Sequence, residues 1–134
     1  KIPAFENAIY YINKGEWETG LEHSSSYRPD NYKYLRNIEF TEGDGDIDGY
    51  IQYIFTGAHC PNHQAFKIED GGETVFYGGD VASQFQQLKT RYKAKYDYDP
   101  QKAMELRQIW REEAVEKGWK FLFYHDIKFP MNQF

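Results

Sequence analysis

The chain has 134 residues, a formal net charge of −5 and an aromatic content of 19%. That length accommodates one domain with a real core, and the aromatic content excludes the disordered class, which cannot bury enough apolar surface. An acidic chain has no general electrostatic attraction to nucleic acid or anionic membranes, and no run here approaches the ~18 apolar residues of a membrane span.

The opening "KIPAFENAIYYINKG" lacks the apolar region of a secretory signal, so a cytoplasmic location is expected. One cysteine, Cys60, excludes an internal disulfide and a Cys-rich zinc site, and fits a reducing compartment. The chain begins at Lys1 rather than Met and reaches a strand-like run within a few residues, as a piece of a longer or processed protein would.

"AIYYI" (8–12) reads as a short buried strand. "NKGEWETGLE" follows as a helix with Asn13 at its N-cap. "HSSSYRPDNYKYL" is turn-rich loop with one helical turn after Pro29, and His23 within it is a surface residue. "NIEF" and "GYIQYIF" read as strands joined by the acidic turn "TEGDGD". Ala65–Glu69 and Thr74–Tyr77 flank "DGG", where glycine supplies the positive φ of a hairpin turn. "ASQFQQLKTRY" places Phe85, Leu88 and Tyr92 at helical spacing. "DPQKAMELRQIWREEAVEKG" is the clearest helix, with Asp99 as cap, Pro100 in the first turn and Gly118 at the end. Its Ala103, Leu106, Trp110 and Ala114 form one apolar face. "WKFLFY" is a buried strand running into His125. Strands, hairpins and covering helices together predict an α/β (α+β) single domain over residues 1–134.

Several stretches invite a chemical reading. "DGDIDG" (44–49) begins like a calcium loop, but its twelfth position is Phe55 instead of the clamping Glu, so a solvated acidic turn is expected. Cys60 beside His59 could be a thiol with its base, but neighbours in sequence seldom face each other and Pro61 stiffens the link; a buried apolar cysteine is expected. His59 and His63 are four apart, yet Pro61 argues against the helix that would align them. His59, Asp80 and His125 each stand just past the C-terminal end of an apolar strand, where layered folds gather functional loops. Two imidazoles and a carboxylate suit zinc, iron or manganese, and loop histidines with structural roles are the alternative.

"TGAHCPNHQAFKIEDGGETVFYGGD" resembles the "PGHTPGHxxxxIExGGxTVLFTGD" stretch of metallo-β-lactamase-fold hydrolases. "YDYDPQKAMELRQIWREEAVEKGWKFLFYHD" is similar to the tail of the superfamily's lactonase-like bacterial members, and "NAIYYINKGEWE" to a segment after their first metal motif. The resemblance covers about residues 1–129. It implies part of an αββα sandwich, a mixed sheet with covering helices and a metal centre at one sheet edge. His59 then matches the histidine of the third metal motif, Asp80 the aspartate that bridges two metals, and His125 the last histidine. His63 becomes a supporting residue, and Asp126 a candidate to orient a ligand. One or two zinc ions are the implied cofactor, with iron or manganese possible.

Ala58 and Asn62 stand where glycine is usual, and Gly78-Gly79-Asp80 replaces the commoner Thr-Gly-Asp. The family's main motif, His-x-His-x-Asp-His, is nowhere in this sequence and is expected upstream of Lys1. The resemblance therefore implies the C-terminal part of a metal-dependent hydrolase of esters, lactones, thioesters or amides, inactive as this isolated chain. A non-catalytic half-domain that packs on another chain, and an iron-dependent oxygenase or oxidoreductase on the same fold, are the other readings. A small ester- or lactone-type substrate, and a homo-oligomer or packing with the missing N-terminal half, are the expected partners.

Overall fold

The computed structural model describes residues 3–22 and 27–134, so His23 lies outside the described residues. The chain divides into two compact units, residues 1–43 and 44–134.

In the first unit, β1 (Tyr10–Asn13) pairs in parallel with β2 (Ile38–Thr41), Tyr10 opposite Ile38. Helix α1 (Lys14–Glu22) lies between them in sequence, and the Asn13 side chain accepts the Glu16 backbone N–H at 3.0 Å, as the expected cap. The helical turn after Pro29 is a 3-10 turn, Pro29–Asn31.

The second unit is built on a six-stranded sheet in the order β3-β4-β5-β6-β7-β8. Its strands are β3 (Gly45–Ile47), β4 (Ile51–Phe55), β5 (Gln64–Asp70), β6 (Glu73–Tyr77), β7 (Lys120–Leu122) and β8 (Met131–Gln133). All neighbours are antiparallel except β6 and β7. Strands β4, β6 and β7 therefore point the same way, and their C-terminal ends lie at one edge of the sheet.

The β5–β6 hairpin forms as expected, with Gly71 and Gly72 both at positive φ (56° and 81°) and Asp70 opposite Glu73. The acidic stretch departs from expectation. Only part of it is turn: Gly45–Ile47 forms β3 on β4, through a three-residue turn, residues 48–50, in which Asp48 and Gly49 have φ of 57° and 79°. The acidic side chains serve the backbone here, since Asp46 accepts the Gly49 N–H and Asp44 the Phe55 N–H, both at 2.6 Å. Strand β2 accordingly pairs with β1 and not with β4.

After β6 comes a 3-10 turn, Gly79–Ala82, then α2 (Phe85–Lys89) and α3 (Pro100–Lys117). Helix α2 is shorter than its apolar spacing predicts. Thr90 is already extended, and the carbonyl of Tyr92 accepts from Arg107 Nη2 at 2.7 Å instead of continuing a helical ladder. Helix α3 begins and ends as read: Asp99 accepts the Lys102 N–H at 3.0 Å, and Gly118 closes it at φ 69°. Its apolar face meets the sheet through Trp110, whose ring centroid lies 4.9 Å from that of Phe76. Phe76 in turn contacts Trp119 and Phe121, and Ala103, Ala114, Val81 and Phe123 complete the core. Strand β8, which no apolar run announces, covers the outer side of β7.

Candidate metal centre

The three loops that leave β4, β6 and β7 at the same sheet edge carry His59, Asp80 and His125. The first loop is closed by the Thr56 and Gly57 N–H groups, which donate to the His63 carbonyl at 2.8 and 3.2 Å. It is also joined to the segment before α3. Tyr98 N–H donates to the His59 carbonyl at 3.0 Å, and Asp99 N–H to that of Ala58 at 2.8 Å. In the third loop the His125 N–H donates to the Ser83 carbonyl at 3.1 Å.

Asp80 stands between the two histidines. His59 Nε2 is 3.7 Å from its Oδ2, and His125 Nε2 is 3.7 Å from its Oδ1. The three side chains are 28%, 39% and 57% exposed for His59, Asp80 and His125, so the centre opens to solvent. Two ligands at about 2.0–2.1 Å from a tetrahedral ion sit roughly 3.3–3.4 Å from each other, so spacings of 3.7 Å suit an ion shared by an imidazole and a carboxylate oxygen. The donor set fits a divalent metal, and Asp80 offers one oxygen to each side. Among the described residues, however, no three His, Cys, Asp or Glu side chains form a group that could hold one ion.

Two side chains hold Asp80 in place. The Tyr124 hydroxyl donates to Asp80 Oδ1. Burial first, and then that hydrogen bond to a carboxylate, push the Tyr124 hydroxyl well above the usual phenol range. His63 Nε2 accepts the Asp80 backbone N–H at 3.1 Å, and its Nδ1 lies 2.6 Å from Thr56 Oγ1. The ring nitrogen that accepts carries no proton, so Nδ1 holds it and donates to Thr56, whose hydroxyl donates to the His63 carbonyl at 3.1 Å. Burial, with His59 nearby, lowers the His63 pKa to about 4, so the ring is neutral at ordinary pH. His63 thus supports the Asp80 loop, and its ring centroid is 6.0 Å from that of His59.

His59 has a partner of its own. Its Nδ1 is 3.0 Å from Asp97 Oδ1, and the Asp97 side chain is 1% exposed. Arg107, 2% exposed, places Nη1 3.8 Å from Asp97 Oδ2 and donates to the Val81 carbonyl at 3.0 Å. Asp97, Arg107 and Tyr124 are absent from the sequence reading. Asp97 lies 38 residues from His59, and only the fold brings them together.

Asp126, the expected candidate to orient a ligand, is engaged with the main chain next to His125. Its carboxylate accepts the Phe85, Lys128 and Phe129 N–H groups at 3.0, 3.0 and 2.9 Å, and the bond from Phe129 holds its pKa below the ordinary carboxylate value. It caps α2 and a turn; the carboxylate on a candidate ligand is Asp97. Cys60 is half-buried instead of fully buried. A cavity of about 210 Å³ between α2 and α3, lined by Lys89, Arg91 and Arg111 among others, does not include the His–Asp–His centre.

A mixed sheet with helices on it and a His–Asp–His set at one edge is the α/β metallo-β-lactamase fold, and solved structures of that class match. A probable metal-dependent hydrolase of Staphylococcus aureus superposes with a TM-score of 0.87 at 22% identity, over 96% of this chain and 48% of that one. The hydrolase AbOPH of the beta-lactamase superfamily gives 0.72 at 19% identity, over 96% and 51%. In sequence, the chain is 27% identical over 128 residues to the N-acyl homoserine lactonase AiiA of Bacillus thuringiensis subsp. kurstaki, across 93% of this chain and 50% of that protein. The chain thus resembles the lactonase-like metallo-β-lactamase-fold hydrolases, and spans about half the length of the curated relatives it matches. No family model matches it.

Proposed function

We propose that this chain is the C-terminal portion of a metal-dependent hydrolase, one domain over residues 1–134 that acts on a small ester- or lactone-type substrate when joined to a segment bearing His-x-His-x-Asp-His. The observation that carries the reading is Asp80 with a different histidine Nε2 at 3.7 Å from each of its two oxygens. Likeness to an N-acyl homoserine lactonase supports the substrate class.

His59, Asp80 and His125 are the residues that would hold the metal. Nitrogen and oxygen donors suit zinc, with iron or manganese as alternatives. When bound, such an ion supplies Lewis acidity and a water whose pKa is lowered to roughly 7. The chain's own residues set the geometry. His59 and His125 offer imidazole nitrogens from opposite sides. Asp80 divides its carboxylate between them, the Tyr124 hydroxyl fixes its rotation, and His63 fixes its main chain.

The isolated chain is inactive in this reading, because these three residues leave an ion short of ligands. The test is lactone hydrolysis with added zinc, by the chain alone and by the chain joined to the upstream segment of its own gene. No turnover is expected from the first. Turnover abolished by Asp80→Ala is expected from the second. Robust turnover by the chain alone overturns the inactivity, and stoichiometric iron in the purified protein favours an oxygenase. The same shortage of ligands favours a second reading, a non-catalytic chain that packs on another chain. Failure of the joined protein to hydrolyse any lactone or ester would support it.

A further inference from the structure

We propose that Asp97 is a positioning residue for the candidate metal centre: it fixes the tautomer and aim of His59, and Arg107 locks it to the loop that carries Asp80. The inference rests on the metal reading above for its purpose, though not for its geometry.

The main chain brings Asp97 to His59. Tyr98 and Asp99 donate to the carbonyls of His59 and Ala58 at 3.0 and 2.8 Å, so the two segments are joined beside the side-chain contact. Asp97 Oδ1 then meets His59 Nδ1 at 3.0 Å. A carboxylate only accepts, so the proton sits on Nδ1 and the lone pair on Nε2, which faces Asp80 Oδ2 at 3.7 Å. That is the tautomer a metal-binding histidine needs when it binds through Nε2.

Arg107 completes the arrangement. Its Nη1 lies 3.8 Å from Asp97 Oδ2 and donates to the carbonyl of Val81, the residue after Asp80. One guanidinium thus links the holder of His59 to the Asp80 loop. Stability alone does not account for the trio. Asp97 Oδ2 and Arg107 Nε are buried without a hydrogen-bond partner, and apolar residues of similar volume commonly serve stability as well or better than a buried ion pair. Nor is Asp97 the cap of α3, which is Asp99.

The experiment uses the full chain with ¹⁵N-labelled histidine. In metal-free protein, two-bond ¹⁵N–¹H correlations of the rings, at a pH where they are neutral, are expected to show His59 as the Nδ1–H tautomer. In Asp97→Asn it should become a mixture or switch. A chelator-competition titration should show zinc bound about 10–100-fold more weakly by Asp97→Asn than by wild type. An Nε2–H tautomer in wild type overturns the proposal whatever the variant does. So does an unchanged tautomer in the variant, or zinc affinity within about twofold of wild type. If the wild-type chain alone binds too little zinc to titrate, as its shortage of ligands allows, the tautomer arm still decides the role of Asp97.

Discussion

A Cβ placed on Gly79 would lie 2.6 Å from His63 Nε2, and the residue's φ is +54°. Both facts forbid a side chain next to Asp80. Glycine at 79 is therefore demanded by the way His63 reaches under the loop to accept the Asp80 N–H. Gly79→Ala is expected to cost about 1–3 kcal/mol in denaturant unfolding, because strained backbone and a steric clash add. It should also weaken zinc binding. His63 itself gives a pH prediction for chelator-treated protein. Its folded pKa, about 4, lies below the ordinary imidazole value of 6.5. Between those values the unfolded chain binds the proton and the folded chain does not. Stability from this group is therefore complete above pH ~6.5, falls as pH drops through the window, and is lost below about 4. The full effect is about 3 kcal/mol. Urea midpoints measured from pH 4 to 7 should show the slope, and His63→Gln should remove it.

At the scale of the elements, α3 tests how well local signals fix structure. Asp99→Ala removes the acceptor for the Lys102 N–H and should lower stability by about 1 kcal/mol, read as a shift in urea midpoint at constant m-value. This helix was legible because cap, N-terminal proline, apolar stripe and C-terminal glycine all agree. The Gly71-Gly72 hairpin was legible for the same reason. Other elements give weak local signals. Strand β3 is three residues with an aspartate at its centre, and its Asp48-Gly49 turn hides inside an acidic run. Strand β8 exists because β7 offers it an edge, and nothing in "MNQ" alternates. Helix α2 keeps only part of its apolar spacing because Arg107 takes the Tyr92 carbonyl. The candidate centre divides likewise. His59, Asp80 and His125 could be read as strand-end residues, since one sheet aligns the ends of β4, β6 and β7. Asp97 and Tyr124 could not, because their roles depend on contacts 38 and 44 residues away along the chain.

For the whole molecule, the surface of the second unit around the centre matters more than its core. Tyr96, Tyr98 and Ile127 are 67%, 68% and 99% exposed, and Tyr124, against the His125 ring, is 49% exposed. Tyr96 also lies edge-on to His59, with ring centroids 5.9 Å apart. Large apolar side chains collected near a candidate site are costly in water, and they favour burial by substrate, by further chain or by a second copy. Among the described residues the sheet ends in β3 on one side and β8 on the other, each only three residues long. Short edges resist strand-to-strand aggregation, so side-chain burial is the expected mode of association. The isolated chain is therefore expected to self-associate reversibly, and light scattering should give a weight-average mass that rises with concentration above the 15.9 kDa of one chain. Tyr96→Ser combined with Ile127→Ser should restore the monomer while leaving the core Phe76–Trp110 contact intact. A wild-type chain that stays monomeric at high concentration would mean that these side chains do not drive association.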